Sequence, residues 1–163
     1  METFGTVKAG SRIAYDWRGG PLARMIRARL QAADLRPTRQ RVSLAGLLFV
    51  AGDRHVTAEQ LFHEAKALHM PLSLATVYNT LRQFVAAGLI REIALYGSTV
   101  WYDTNTGPHC HYFDEDRNQL SDMSFDVTQN LKIDPPPGRK IVGVDIIVRL
   151  RDDDDAVEPT PFP

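Results

Sequence analysis

The period of the apolar residues changes once along this chain, at Gly88, and that switch sets the fold class. Before it the spacing is helical. Leu22, Met25, Ile26 and Leu30 recur on one face of a helix over Pro21–Ala33, with Arg24, Arg27 and Arg29 between them. After a break at Asp34–Pro37, Thr38 predicts an N-cap for a helix carrying Val42, Ala45, Leu48 and Phe49. Thr57 and Gln60 have capping-box spacing and open a third helix with Leu61, Phe62 and Ala65, His55 standing at its start. Ser73 caps a fourth helix, with Leu74, Val77, Tyr78, Leu81, Phe84 and Val85 inward and Gly88 as its stop. From Ile90 the period is two. Ile90, Glu92, Ala94 and Tyr96 alternate with Arg91, Ile93 and Leu95 and, with Gly97-Ser98 and Thr99–Tyr102, predict a β-hairpin. Short helices followed by a hairpin predict a winged helix-turn-helix over residues 21–103, its fourth helix being the one that would enter the DNA major groove.

The remainder of the chain differs in character. Residues 1–20 are aperiodic and are expected to form a flexible arm, and 104–108 is a turn-rich hinge. Two short strands, His109–Asp114 and Gln119–Met123, one or two helical turns at Phe125–Leu131, and a long strand at Arg139–Arg151 are expected in residues 109–151. In that last strand Val142, Val144, Ile146, Val148 and Leu150 alternate with Ile141, Asp145, Ile147 and Arg149. Three strands bury too little on their own, so this small α/β unit is expected to pair with a second copy as a dimerisation domain. The predicted class is α+β. Residues 152–163, opening on a run of four aspartates, read as a disordered acidic tail.

Charge sorts with these units. The net charge is −1, but residues 1–98 carry thirteen Lys and Arg against seven Asp and Glu, whereas residues 99–163 carry six against thirteen. A basic first half joined to an acidic second half points to a polyanion-binding module attached to something else. No apolar run reaches membrane-spanning length, and the N-terminus lacks a secretion signal, so the expectation is a cytoplasmic protein without a membrane partner. The single cysteine, Cys110, excludes an intrachain disulfide and a multi-cysteine zinc site.

The residues able to carry chemistry are few. His109 and His111 lie two apart at the entry to a strand, so both imidazoles can face one ion, with Asp103 and Asp122 nearby. Cys110 points the other way and reads as a packing residue, and His63 and His69 as surface or packing residues. No nucleophile elbow, phosphate loop or dinucleotide fingerprint is present. An enzyme reading, a small non-haem iron oxygenase, would rest on the histidines alone, and the expectation is that the chain is not an enzyme.

The motifs LRPTRQR at 35–41, HVTAEQLF at 55–62 and SLATVYNTLRQFVAAGLI at 73–90, followed by a wing and a His-x-His, resemble the ferric uptake regulator family across residues 21–151. The resemblance implies a homodimeric winged-helix transcription regulator with a hinge metal site at His55, Asp103, His109, His111 and Asp122. The family's CxxC structural zinc site is missing, with Asp114 and Arg117 at the matching positions, and a second site is degraded, with Cys110 and Gln129 in place of ligands. The short helix ahead of Pro135–Gly138 makes the chain most similar to the iron response regulator branch. That implies haem held by His109 and His111, or a divalent iron, manganese or zinc ion in the hinge.

On the same resemblance the chain is expected to repress iron and haem metabolism genes through A·T-rich promoter DNA. Ser73, Thr76, Tyr78, Asn79 and Arg82 would lie nearest DNA, with Tyr78 and Asn79 on bases and Arg82 on phosphate. Arg36 would enter an A·T-rich minor groove, and Arg39 and Arg41 would help to position the backbone. The alternative within the family is a peroxide- or manganese-sensing regulator using the same five ligands.

Overall fold

The structure, a computed structural model, describes residues 19–50, 52–95, 99–124 and 133–153. The N-terminal arm up to residue 18, the hairpin tip, the helical turns expected at Phe125–Leu131 and most of the acidic tail lie outside the described residues.

Among the described residues four helices form, as expected: α1 (Pro21–Ala32), α2 (Arg39–Phe49), α3 (Ala58–Ala67) and α4 (Leu74–Ala86). Their starts are fixed by side chains that satisfy otherwise unpaired backbone N–H groups. Thr38 accepts from the Arg41 N–H, Ser73 from the Thr76 N–H, and Thr57 and Gln60 form a reciprocal capping box. Gly88, at φ +68°, ends α4 in the left-handed region, where the Leu89 N–H returns to the Phe84 carbonyl. One cluster holds the helices together. Ile26, Leu30, Leu44, Leu48, Leu61, Val77, Leu81 and Phe84 are all fully buried in it, each contributing about 1.5–3 kcal/mol of burial. Met25 is an exception to the expected apolar faces. It stands 58% exposed, and Ala23 takes the inward position in α1.

Among the described residues six strands form two three-stranded sheets. The first contains β1 (His55–Thr57), β2 (Arg91–Ala94) and β3 (Val100–Asp103) in the antiparallel order β1-β3-β2. With the helices it makes the N-terminal half of an α+β fold. Here His55 is corrected: it lies in a strand that runs directly into the Thr57 cap. Three residues show no period of their own, and β1 exists because β3 offers it a partner.

The second sheet has the order β5-β4-β6, from β4 (His111–Asp114), β5 (Gln119–Asp122) and β6 (Ile147–Leu150). β5 is antiparallel to β4 and β6 parallel to it. The long strand expected over Arg139–Arg151 is cut to its last third. Its partner β4 has four residues, and the ladder ends with it, leaving residues 139–146 without regular structure. Ile147 packs against Ile93, Trp101 and Leu120, whereas Val142 (90%), Val148 (36%) and Leu150 (40%) are exposed in the single chain. Among the described residues no helix is long and apolar enough to cross a membrane.

Candidate metal centre

Strand register builds this site. In the first sheet His55 and Arg91 both pair across from Asp103, so the row reads His55, Asp103, Arg91. In the second, Asp122 and Ile147 both pair across from His111, so the row reads Asp122, His111, Ile147. The rows meet member to member. His55 Nε2 lies 3.0 Å from Asp122 Oδ1, His111 Nε2 lies 3.4 Å from Asp103 Oδ2, and Arg91 Nη1 comes within 3.8 Å of Asp145, two residues before Ile147. His109, on the linker just before β4, completes the set, its Nε2 3.1 Å from Asp103 and 3.0 Å from Asp122.

All five residues expected from the sequence are thus brought together, each offering one donor atom, with those atoms within 4.8 Å of one another. Two observations show that they fit a cation. The Nδ1 of His109 lies 3.0 Å from the Gly107 carbonyl, which turns its Nε2 towards a carboxylate oxygen of Asp103 and one of Asp122. His55 Nε2 is buried and, despite its closeness to Asp122, makes no hydrogen bond. Two carboxylates set among three imidazoles are stabilised by a shared positive charge, and this donor set suits iron, manganese or zinc. His109 held through Nδ1 by a carbonyl is also the usual outer support of a ligating imidazole.

Asp103 is the centre of the arrangement and is fully buried. Burial alone would raise its pKa. The His111 bond, the nearby His55 imidazole and the Asn105 N–H outweigh burial and hold the carboxyl below the ordinary carboxylate range. One functional neighbour was missed from the sequence. Arg91 donates from Nε to Asp103 at 3.0 Å and places Nη2 3.3 Å from both His109 Nε2 and His111 Nε2. The signal was available: a hairpin with Ala94 opposite Val100 puts Arg91 opposite Asp103.

Arg117 donates to Asp114 at 2.7 Å in an exposed ion pair. Cys110 is fully buried and stands outside the donor cluster, and Gln129 lies outside the described residues. His63 and His69 are exposed.

On the helical face Arg36, Arg39, Ser73, Asn79 and Arg82 are exposed. Arg41 is tied inward: Nε donates to Gln83 on α4 and Nη1 to the Arg36 carbonyl, so it fixes the loop before α2 against α4. Thr76 is bonded to Ser73, and the Tyr78 hydroxyl donates to Glu59 of α3. That bond is the main cause of a raised Tyr78 and a lowered Glu59 pKa.

Comparison with known proteins agrees with this architecture. The peroxide-responsive repressor PerR of Staphylococcus aureus (strain Mu50) is 30% identical over 98 residues, which are 60% of this chain and 66% of the relative, just under two thirds of its length. The ferric uptake regulator of Pseudomonas aeruginosa, solved with manganese, superposes at a TM-score of 0.59 and 25% identity, over 78% of this chain and 97% of that one. That of Vibrio cholerae superposes at 0.64 and 22% identity, over 77% and 98%. The sequence pattern of the ferric uptake regulator family matches residues 32–146. The chain therefore belongs to the ferric uptake regulator family, whose members are transcription regulators and not enzymes.

Proposed function

We propose that this chain is a homodimeric, repressor-type DNA-binding regulator whose DNA affinity is set by a divalent metal ion at the junction of its two sheets. One observation carries the reading: five donors from β1, β3, the linker, β4 and β5 converge on one point, and no single element could assemble them. A bound divalent cation would supply positive charge where two carboxylates and three imidazoles are collected.

The chain's own residues do the rest. His55 and Asp103 belong to the helical half, and His109, His111 and Asp122 to residues 109–151. Drawing them together fixes the angle between the two halves. In a dimer that angle sets the separation of the two α4 helices, and one separation matches two half-sites. On this reading Ser73, Thr76, Tyr78, Asn79 and Arg82 face the major groove, Arg36 the minor groove, and Arg39 phosphate, while Arg41 braces the loop.

The proposed targets are iron and haem metabolism genes, from the likeness to the iron response branch. For the ligand itself the geometry favours an ion over haem. The three imidazole rings lie 4.4–6.4 Å apart between centres and share two carboxylates, and His111 is fully buried, so no open face is left for a porphyrin plane. The second reading is a peroxide-sensing regulator, favoured by the 30% identical relative of that name.

The test is fluorescence anisotropy on an A·T-rich inverted-repeat duplex, titrated with the full chain in EDTA, Fe²⁺, Mn²⁺, Zn²⁺ or haem. The expected result is an ion-dependent change in affinity of about tenfold or more, about 1.4 kcal/mol, with affinity falling as salt rises. Salt-independent binding, or equal affinity in EDTA and in every ion, overturns it.

A further inference from the structure

Arg91 stands inside the metal centre. Its guanidinium touches Asp103, His109 and His111, three of the five donors, and is itself three-quarters buried, with 22% of its side chain exposed. A divalent ion must enter against this charge. Two carboxylates and one guanidinium leave the cluster with a formal charge of −1, and an ion arriving with Arg91 in place would make it +1. Like charges a few ångströms apart in a partly buried site repel by several kcal/mol, so Arg91 either weakens the ion or moves. The structure offers a place to move to. Asp145 lies 3.8 Å from Nη1, in the segment that leads into β6.

We infer that Arg91 is a built-in competitor of the metal ion, which sets the affinity of the site and turns to Asp145 when the ion binds. This inference rests on the metal-centre reading proposed above. Two consequences follow from the row order of the sheets. Arg91 is on edge strand β2 and Asp145 precedes edge strand β6, so the exchange links the helical half to residues 139–146, the stretch that has no regular structure. The ion's affinity also becomes a property of a residue that does not ligate it. Removing the guanidinium should tighten the site, whereas removing a ligand should loosen it.

The test is competition for Mn²⁺ against a chromophoric chelator, using full-length wild type, Arg91→Met, Arg91→Lys, Asp145→Asn and the Arg91→Met/Asp145→Asn pair, with melting in EDTA as a second readout. Arg91→Met should bind Mn²⁺ at least about tenfold more tightly and melt lower in EDTA, because Asp103 loses a charged hydrogen-bond partner. Arg91→Lys, which keeps the charge, should stay nearer wild type. Asp145→Asn should weaken Mn²⁺ binding in the wild-type background and change nothing beside Arg91→Met. Should Arg91→Met fail to fold, the lysine and asparagine variants decide by the same comparison. Wild-type binding with Arg91→Met equal or weaker, or an Asp145→Asn effect that persists without Arg91, overturns the inference alone. No Mn²⁺ binding by either wild type or Arg91→Met overturns it together with the metal-centre reading.

Discussion

Replacing Asp103 by asparagine changes one atom type at a position that faces His55, His109, His111, Arg91 and the Asn105 N–H. Asparagine keeps the volume, and its carbonyl can still accept the Asn105 N–H, which lies 2.8 Å from Oδ1. The other oxygen becomes an amide that donates, set against the Arg91 Nε–H at 3.0 Å. The lost charge-assisted hydrogen bond is worth about 1.5–3 kcal/mol. Leaving a buried partner's charge uncompensated costs about 3–5 kcal/mol, and Arg91 falls at the lower end because water reaches part of it and Asp145 stays 3.8 Å from Nη1. A destabilisation of about 3 kcal/mol is expected, which for a chain of this size lowers the melting temperature by about 6–12 °C. The assay is circular dichroism melting in EDTA, so that no ion contributes. Adding Arg91→Met to Asp103→Asn removes the stranded charge and should restore most of the loss. If Asp103→Asn melts within 2 °C of wild type, an estimate well below the range above, Asp103 and Arg91 are not the pair that the geometry describes.

Charge reversal at Arg36 or Arg82 should reduce affinity for promoter DNA by at least about tenfold and lower its salt dependence, with the dimer unchanged by sedimentation. Val148→Asp, on the exposed side of β6, should give monomers, because a charge there is expected to stand where a second copy packs; a wild type that is monomeric at micromolar concentration would contradict the dimer. Tyr102, pushed up to about 12 by burial and by the Glu92 charge, contributes stability that is complete below pH 10 and lost as pH rises from 10 to 12. Two pKa units correspond to about 2.7 kcal/mol. Wild type should therefore lose more stability than Tyr102→Phe across that window, as read by urea denaturation.

The helices were legible because their signals are local. Thr38, Thr57, Ser73 and Gly88 act on backbone groups within one turn, so their meaning does not depend on the rest of the fold. The strands were legible only in part. β1 has three residues and forms through its ladder to β3, and β6 is as long as β4 allows, whatever the alternation from Arg139 suggests. The site shows the same division. The i, i+2 spacing of His109 and His111 was visible as chemistry, but the resemblance to a known family was needed to add His55, because nothing local connects it to Asp122. Arg91 escaped notice since a lone arginine in an alternating segment reads as a solvated strand face. Its role follows from being level with Asp103 on one side and Asp145 on the other.

The most direct measurement compares wild type with the His109→Ala/His111→Ala double variant. Both are titrated with Mn²⁺ and Fe²⁺ while affinity for the inverted-repeat duplex and dimer mass are followed together. The account predicts that the double variant remains a folded dimer, loses ion uptake and holds one DNA affinity at every ion concentration. A folded double variant whose DNA affinity still follows the ion as wild type does, or one that unfolds outright, would contradict a sensing role for this centre.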